Sequence, residues 1–423
     1  MRTSIITALD IGSSFVRVLI SQINNEGRLE IKGIGEIPSE GMDKGLVKDI
    51  QAVSGCIKAA VQQAEDLANC KAENIYINIT GEHIRSHSVM GRISISGPLS
   101  NAPSEITEDH IAQVVNDAKN SIKTQKGFER LQILHGLPQY FDIDDQNEIY
   151  NPVNMTGYHL TSHVMLVLAD ITSIRNLLKC VEVAGYFVEP DHIVLSHIAA
   201  GLSTLSEDEK RLGSVLIDIG GGCCDLAFYN KGNIIQTSVT PMAGNNITRD
   251  LAIGLRTTIT HAESIKIEFG SALTDNSENN PDITVDGISG RSSSNYKSSH
   301  VSMIIQSRLS EFMESCYQFI KAAYPPELIT AGVVITGGTA KLKDIDSYIA
   351  ELFNLPVKIG YPDLSRLSGA ISRLEDPSYA TAIGLIYYGM DDLKETKTSF
   401  LPKFKLGKEN FLSKFYNYIK EYL

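Results

Sequence analysis

The chain has 423 residues, 43% hydrophobic and 21% charged, a globular composition long enough for two or more domains with their own cores. A formal net charge of -12 provides no global basic field, so duplex nucleic acid is excluded as a partner and any basic surface is local. Six cysteines without a C-x-x-C pair suggest neither a zinc ribbon nor a redox dithiol and fit a reducing compartment.

The N-terminal MRTSIITALDIG turns acidic before a signal-peptide core could form, and no apolar run reaches bilayer length. Within it begins ALDIGSSFVRVLI (Ala8 to Ile20), which reads as an apolar strand, an acid, a glycine-led turn and a second strand. The stretch from Gly41 to Ala68 ends in a helix with an apolar face. A segment opening at INITGEH and running to Leu160 contains His83 and His87 at i,i+4 spacing, but no third metal ligand is indicated there.

The first unit then recurs. VLIDIGGGCCDLAFYN (Val215 to Asn230) has the same order of strand, acid, glycine turn and strand, so the chain contains two related halves. A single Asp-x-Gly after a strand is an ordinary tight turn; two matched copies point to a ligand. Gly12 and the Gly220, Gly221, Gly222 run let backbone amides approach an anion, and phosphate is the natural guest. Asp10 and Asp218, at the strand ends, are placed to hold a hydrated magnesium ion on such phosphates. Cys223 and Cys224 read as small packing residues rather than a redox switch.

Farther on, HAESIKIEFG puts Glu263 and Lys266 on one helical face, and VSMIIQSRLSEFMES does the same for Arg308 and Glu311; each pair also reads as a surface ion pair. Between them, Thr274 to Ser299 is polar and turn-rich and reads as a mobile loop. AGVVITGGTAKLKDI is a buried strand running into Gly337 and Gly338 and then a helix, suited to packing on a purine ring. Residues 391–409 read as a polar, lysine-rich linker. Beyond it, helical winding of 410–423 gathers Phe411, Leu412, Phe415, Tyr416, Tyr418, Ile419, Tyr422 and Leu423 into an arc of roughly 160°. Such a helix either lies in a membrane interface or docks on the protein's own core, and Lys403, Lys405 and Lys408 favour anionic lipid.

Two phosphate turns followed by an adenosine turn resemble the actin-like ATPase superfamily, and IVLSHIAAGLSTL and PSYATAIGLIYYG look like its two connecting helices. The further stretches GMDKGLVKDIQAV, INITGEHIRSHSVMGRISISG and VTPMAGNNITRDLAIGL resemble the bacterial cell-division FtsA family, over nearly everything before the tail. The resemblance implies an α/β, actin-like fold, two related α/β domains around a nucleotide cleft with the FtsA-type insertion. On this reading 1–82 and 161–192 form the first core subdomain, 83–160 the insertion, 193–230 and 301–390 the second core subdomain, and 231–300 a smaller subdomain over the nucleotide.

It further implies ATP and magnesium as ligands, held by Asp10, Gly12, Ser13, Ser14, Arg17, Asp218, Gly220, Gly221, Gly222, Cys223, Gly244, Glu263, Lys266, Gly337, Gly338 and Thr339, with the Glu263 and Lys266 pair on the ribose. The implied partners are the FtsZ C-terminal peptide at Arg308 and Glu311, further copies in a filament, anionic inner-membrane lipid at Phe411, Leu412, Phe415, Ile419, Tyr422 and Leu423, and later division proteins at the insertion. The implied location is the cytoplasmic face of the inner membrane at the septum.

Two positions depart from the superfamily pattern. Cys223 stands where a threonine hydroxyl usually meets phosphate, and a thiol is a weaker donor. Ser196 stands where Gln or Glu orients the attacking water, so nucleotide is expected to be bound well and hydrolysed slowly. A small-molecule kinase and an FtsA-like pilus scaffold are the alternatives.

Overall fold

Both glycine-led units fold as antiparallel hairpins, and each forms the centre of its own sheet. This computed structural model describes residues 4–24, 28–95, 102–123, 125–274, 280–323 and 328–397. In the first sheet the strand order is Ile193–Leu195, Ile75–Ile79, Ile5–Ile11, Phe15–Ile23, Leu29–Pro38, Leu367–Gly369. In the second it is Val357–Ile359, Val333–Thr336, Ser214–Ile219, Cys224–Asn230, Asn233–Thr240. Apart from one added edge strand, the two orders match: two parallel strands lead into a three-strand antiparallel meander. The internal duplication read from the two hairpins therefore extends to whole sheets.

Ile5–Ile11 and Ser214–Ile219 are buried along almost their entire length, as central strands covered on both faces must be. On the first sheet the helix Ile50–Ala68 packs against Leu29–Pro38, its start fixed by Asp49, whose carboxylate accepts from the backbone of Gln51 and Ala52. Against the second sheet lie the helices Gly244–Gly254, Ile259–Phe269, Ser298–Ala323 and Ile345–Phe353, with Ile217, Ile247, Ile265, Phe312 and Ile349 in one buried cluster. The two connecting segments form the helices Ser196–Thr204 and Ala380–Lys397. They touch so closely that a Cβ on Gly384 would lie 1.8 Å from the carbonyl oxygen of Ala199.

The chain divides into two compact units. One comprises Met1–His87, Arg130–Leu134 and Val167–Met390, which hold both of these sheets; the other is built on Ser88–Glu129 and His135–Leu166. A four-stranded sheet is ordered Gln146–Ile149, Leu131–Ile143, His159–Asp170, Arg85–Ser94, with most of its residues in the second unit, which also holds the helix Glu108–Lys123 that buries Ile111, Val114, Val115, Ala118 and Ile122.

Several sequence expectations need correction. Asn233–Thr240 is the edge strand of the second core sheet, so the boundary placed at residue 231 falls inside a hairpin rather than between subdomains. The stretch read as a loop contains a hairpin, Asp282–Val285 paired with Ser294–Lys297, because Ile283 and Val285 alternate with polar residues and are buried. The linker read from residue 391 begins as helix, which continues to Lys397. The order of strand, Gly337 and Gly338, then helix holds as read, with a 3-10 turn at Gly338–Lys341 before the α-helix that begins at Ile345. His83 lies in a turn and His87 on the strand Arg85–Ser94, so their spacing defines no helical face.

Candidate functional site

The strand ends carrying Asp10 and Asp218 bring the two glycine turns together on the wall of one cavity of about 950 Å³. Its wall carries Asp10, Gly12, Ser13, Ser14, Arg17, Asp218, Gly220, Gly221, Gly222, Cys223, Gly244, Glu263, Lys266, Gly337, Gly338 and Thr339, the whole set singled out in the sequence. The two turns interlock closely. A Cβ on Gly221 would lie 2.0 Å from Ser14 Oγ, which would have to rotate away, and one on Gly222 would lie 2.4 Å from Ser13 Oγ and 2.7 Å from Ser13 Cβ, which a rotation of the hydroxyl does not relieve. Ser14 Oγ donates to Asn245 Oδ1 at 3.1 Å, and the Gly244 and Asn245 amides donate to the carbonyls of Gly220 and Gly221. Thr339 Oγ1 donates to the Gly220 carbonyl at 2.8 Å, and Gly337 takes φ +87°, a region that favours glycine.

Burial dominates the electrostatics. It pushes the Asp10 carboxyl up to about 7, against the pull of Arg17 and with the help of Asp218. Burial likewise pushes Asp218 up to about 6, opposed by the hydroxyl of Thr381, which donates to Asp218 Oδ2 at 3.1 Å, and by Arg17. A third cavity acid, Asp225, stands opposite Asp218 in the hairpin register and is raised well above the carboxylate range by burial and by Asp218. Thr80 Oγ1 donates to it at 2.6 Å. Sequence reasoning quoted this acid without giving it a role; its place seven residues after Asp218, on the returning strand, was the available signal.

The thiol of Cys223 is buried, and that burial pushes it above its ordinary range, so it carries no charge here. Cys224 is a core residue, its Sγ 3.9 Å from that of Cys316. Glu263 and Lys266 form an ion pair at 2.7 Å, and Lys266 Nζ also donates to Thr248 Oγ1 at 2.9 Å. Ser196 lines the cavity and donates to the Ile79 carbonyl at 3.2 Å, while Asn78 Nδ2 donates to Ser196 Oγ.

Arg308 and Glu311 lie elsewhere. They pair with each other on the Ser298–Ala323 helix, Arg308 also pairs with Asp250, and with Met303, Ile304 and Ser307 they rim a separate hollow of about 300 Å³. Phe411, Leu412, Phe415, Ile419, Tyr422 and Leu423 lie outside the described residues. Among the described residues no three His, Cys, Asp or Glu side chains gather as a metal site, and no helix is long and apolar enough to cross a membrane.

Known proteins resemble the chain at both levels. A family model for cell division protein FtsA matches residues 215–384, and one for the SHS2 domain inserted in FtsA matches 81–168, a span that contains the insertion read at 83–160. The cell division protein FtsA of Neisseria meningitidis serogroup B is 36% identical over 385 residues, covering 90% of this chain and 89% of that protein. Among solved structures, the PilM-PilN type IV pilus biogenesis complex superposes with a TM-score of 0.63 at 14% identity, over 91% of this chain and 98% of that one. MreB 5 of Spiroplasma citri, bound to AMPPNP, gives a TM-score of 0.53 at 17% identity, over 94% of this chain and all of its own. At such identities these structures establish the fold, which is actin-like. With both domain models matched and a third of its residues shared with a full-length relative, the chain belongs to the FtsA family of cell division proteins.

Proposed function

We propose that the protein binds Mg-ATP in the cavity between its glycine turns, assembles with further copies in that state, and anchors the FtsZ ring to anionic inner-membrane lipid at the septum. One observation carries the reading: two matched hairpins of a duplicated fold face each other, each presenting a glycine turn and a buried acid to one cavity. The donor set fits the ligand. Amides and hydroxyls at Gly12, Ser13, Ser14 and Gly220 to Gly222 suit phosphate oxygens, and two carboxylates suit magnesium, which keeps most of its waters. Magnesium would neutralise phosphate charge, and its own charge would hold Asp10 and Asp218 ionised.

The chain's residues then divide the work. Arg17 faces the phosphates from the returning strand of the first hairpin, Glu263 and Lys266 meet the ribose, and Gly337, Gly338 and Thr339 border the base. Ser196 carries no carboxylate or carboxamide of its own, and the neighbouring Asn78 carboxamide is committed at both ends, accepting from the Ile11 amide and donating to Ser196 Oγ, so slow hydrolysis is expected. AMPPNP in the MreB 5 structure is consistent with a nucleotide site in this fold. Family membership favours this reading over a kinase or a pilus scaffold.

Arg308 and Glu311, on the rim of their own hollow, are the proposed contacts for the FtsZ C-terminal peptide. The terminal segment, with its apolar arc and upstream lysines, supplies the lipid contact, and assembly makes many weak contacts avid. Calorimetry of the intact chain with Mg-ATP is expected to give saturable binding that weakens at least about tenfold in Asp218→Ala. A folded wild-type chain that gives no binding heat overturns the proposal.

A further inference from the structure

Asp10, Arg17 and Glu36 form one cross-strand row: Asp10 stands opposite Arg17 in the first hairpin, and Arg17 stands opposite Glu36 on the next strand. Directly paired residues share a face of the sheet, so a single cation sits between two acids. The structure pairs it with the outer one. Arg17 Nε donates to Glu36 Oε2 at 2.7 Å. Tyr379, in the turn Pro377–Tyr379, donates its hydroxyl to that same oxygen at 3.0 Å. The guanidinium is held between two rings, 5.0 Å from the centroid of Phe15 and 5.1 Å from that of Tyr379. Arg17 and Phe15 line the cavity, whereas Glu36 and Tyr379 stand behind them, off its wall.

A guanidinium has five N–H donors, and fixing Nε leaves the outer nitrogens free. Without Glu36, the remaining acid in the row is Asp10, and arginine pairs strongly with a carboxylate. That pairing would use up an oxygen that a divalent cation requires. We propose that Glu36, braced by Tyr379, is a positioning residue that keeps Arg17 off Asp10, so that Asp10 serves the cation and Arg17 the phosphates. This inference rests on the nucleotide reading above and assigns a division of charge within that site. The bracing segment also reaches the second acid and the third turn: Thr381 donates to Asp218, and the Pro377 carbonyl accepts from the Gly337 amide at 3.2 Å.

The test measures ATP affinity of the full chain by calorimetry, in EDTA and across a magnesium titration, for wild type, Glu36→Gln and Tyr379→Phe. Glu36→Gln is expected to raise the half-saturating magnesium concentration about tenfold and, because Arg17 then turns from the phosphates to Asp10, to weaken metal-free ATP binding as well. Tyr379→Phe, which keeps the ring and removes only the hydroxyl, is expected to move the magnesium requirement in the same direction by about threefold, and remains informative if Glu36→Gln does not fold. In an Arg17→Gln background, Glu36→Gln is expected to add nothing, because its effect runs through the arginine. An unchanged magnesium requirement in a folded Glu36→Gln variant, or the same increase without Arg17, overturns the inference while leaving nucleotide binding intact. A wild-type chain that takes up no nucleotide overturns both.

Discussion

Asp10 shows how burial and function oppose each other. With a folded value near 7 against an ordinary 3.8, the native state holds a proton between these pH values that the unfolded chain does not. The resulting stability is fully present below about pH 4 and is lost as pH rises through about 7. In EDTA, wild type is therefore expected to weaken from pH 5 to pH 8. Asp10→Asn, which has no proton to lose, is expected to gain on the order of 2–4 kcal/mol over wild type at pH 8 and little at pH 4, measured by urea unfolding. Equal behaviour of the two proteins at pH 8 would refute the buried-acid account. Cys223 raises a second residue-level question. On the proposed nucleotide reading its thiol takes the place of a phosphate-binding hydroxyl, so Cys223→Thr is expected to tighten Mg-ATP binding by about tenfold in calorimetry, and weaker binding would mean the thiol is needed where it stands. Asp225 was missed as a site residue because an acid on the returning strand of a hairpin faces either surface; only the register opposite Asp218 turns it into the cavity.

At the level of elements, the two connecting helices meet where Gly384 rests on the Ala199 carbonyl. Gly384→Val is expected to wedge them apart at a cost of about 1–3 kcal/mol in urea unfolding, and a neutral substitution would show that the crossing is looser than its geometry. The elements that the sequence left unread fail for identifiable reasons. The Asp282–Val285 strand is four residues long among serines, asparagines and glycines, so its alternation is too brief to stand out from a turn-rich stretch. After Met390 the apolar period ends, yet DDLKETK consists largely of good helix formers already attached to a helix, and propagation costs little once a helix exists. Asn233–Thr240 was severed from its sheet because the turn at Lys231 and Gly232 looks like a boundary, whereas it joins two paired strands.

For the whole molecule, the proposed function makes nucleotide, assembly and lipid a chain of dependence. A single short interfacial helix binds lipid weakly, and joined subunits multiply that contact. Asp218→Ala, with its tail intact, is expected to bind anionic liposomes at least about a hundredfold more weakly than wild type in the presence of Mg-ATP, as read by co-sedimentation. Undiminished binding would separate the tail from the cavity and sink that order of events.

The paired glycine hairpins and the acids Asp10 and Asp218 were legible in the sequence, because a strand, an acid and a glycine turn are local patterns and their recurrence shows along the chain, whereas most other cavity residues were named only through the family resemblance. The actin-like fold was legible for the same reason, through the order of these turns. Tertiary structure alone decided that Asp225 joins Asp10 and Asp218 at the cavity, that two whole sheets repeat one strand order, and that Arg17 pairs with Glu36 rather than Asp10. Each of these depends on register and close approach between segments far apart in the chain, and no periodicity along one segment encodes a distance to another.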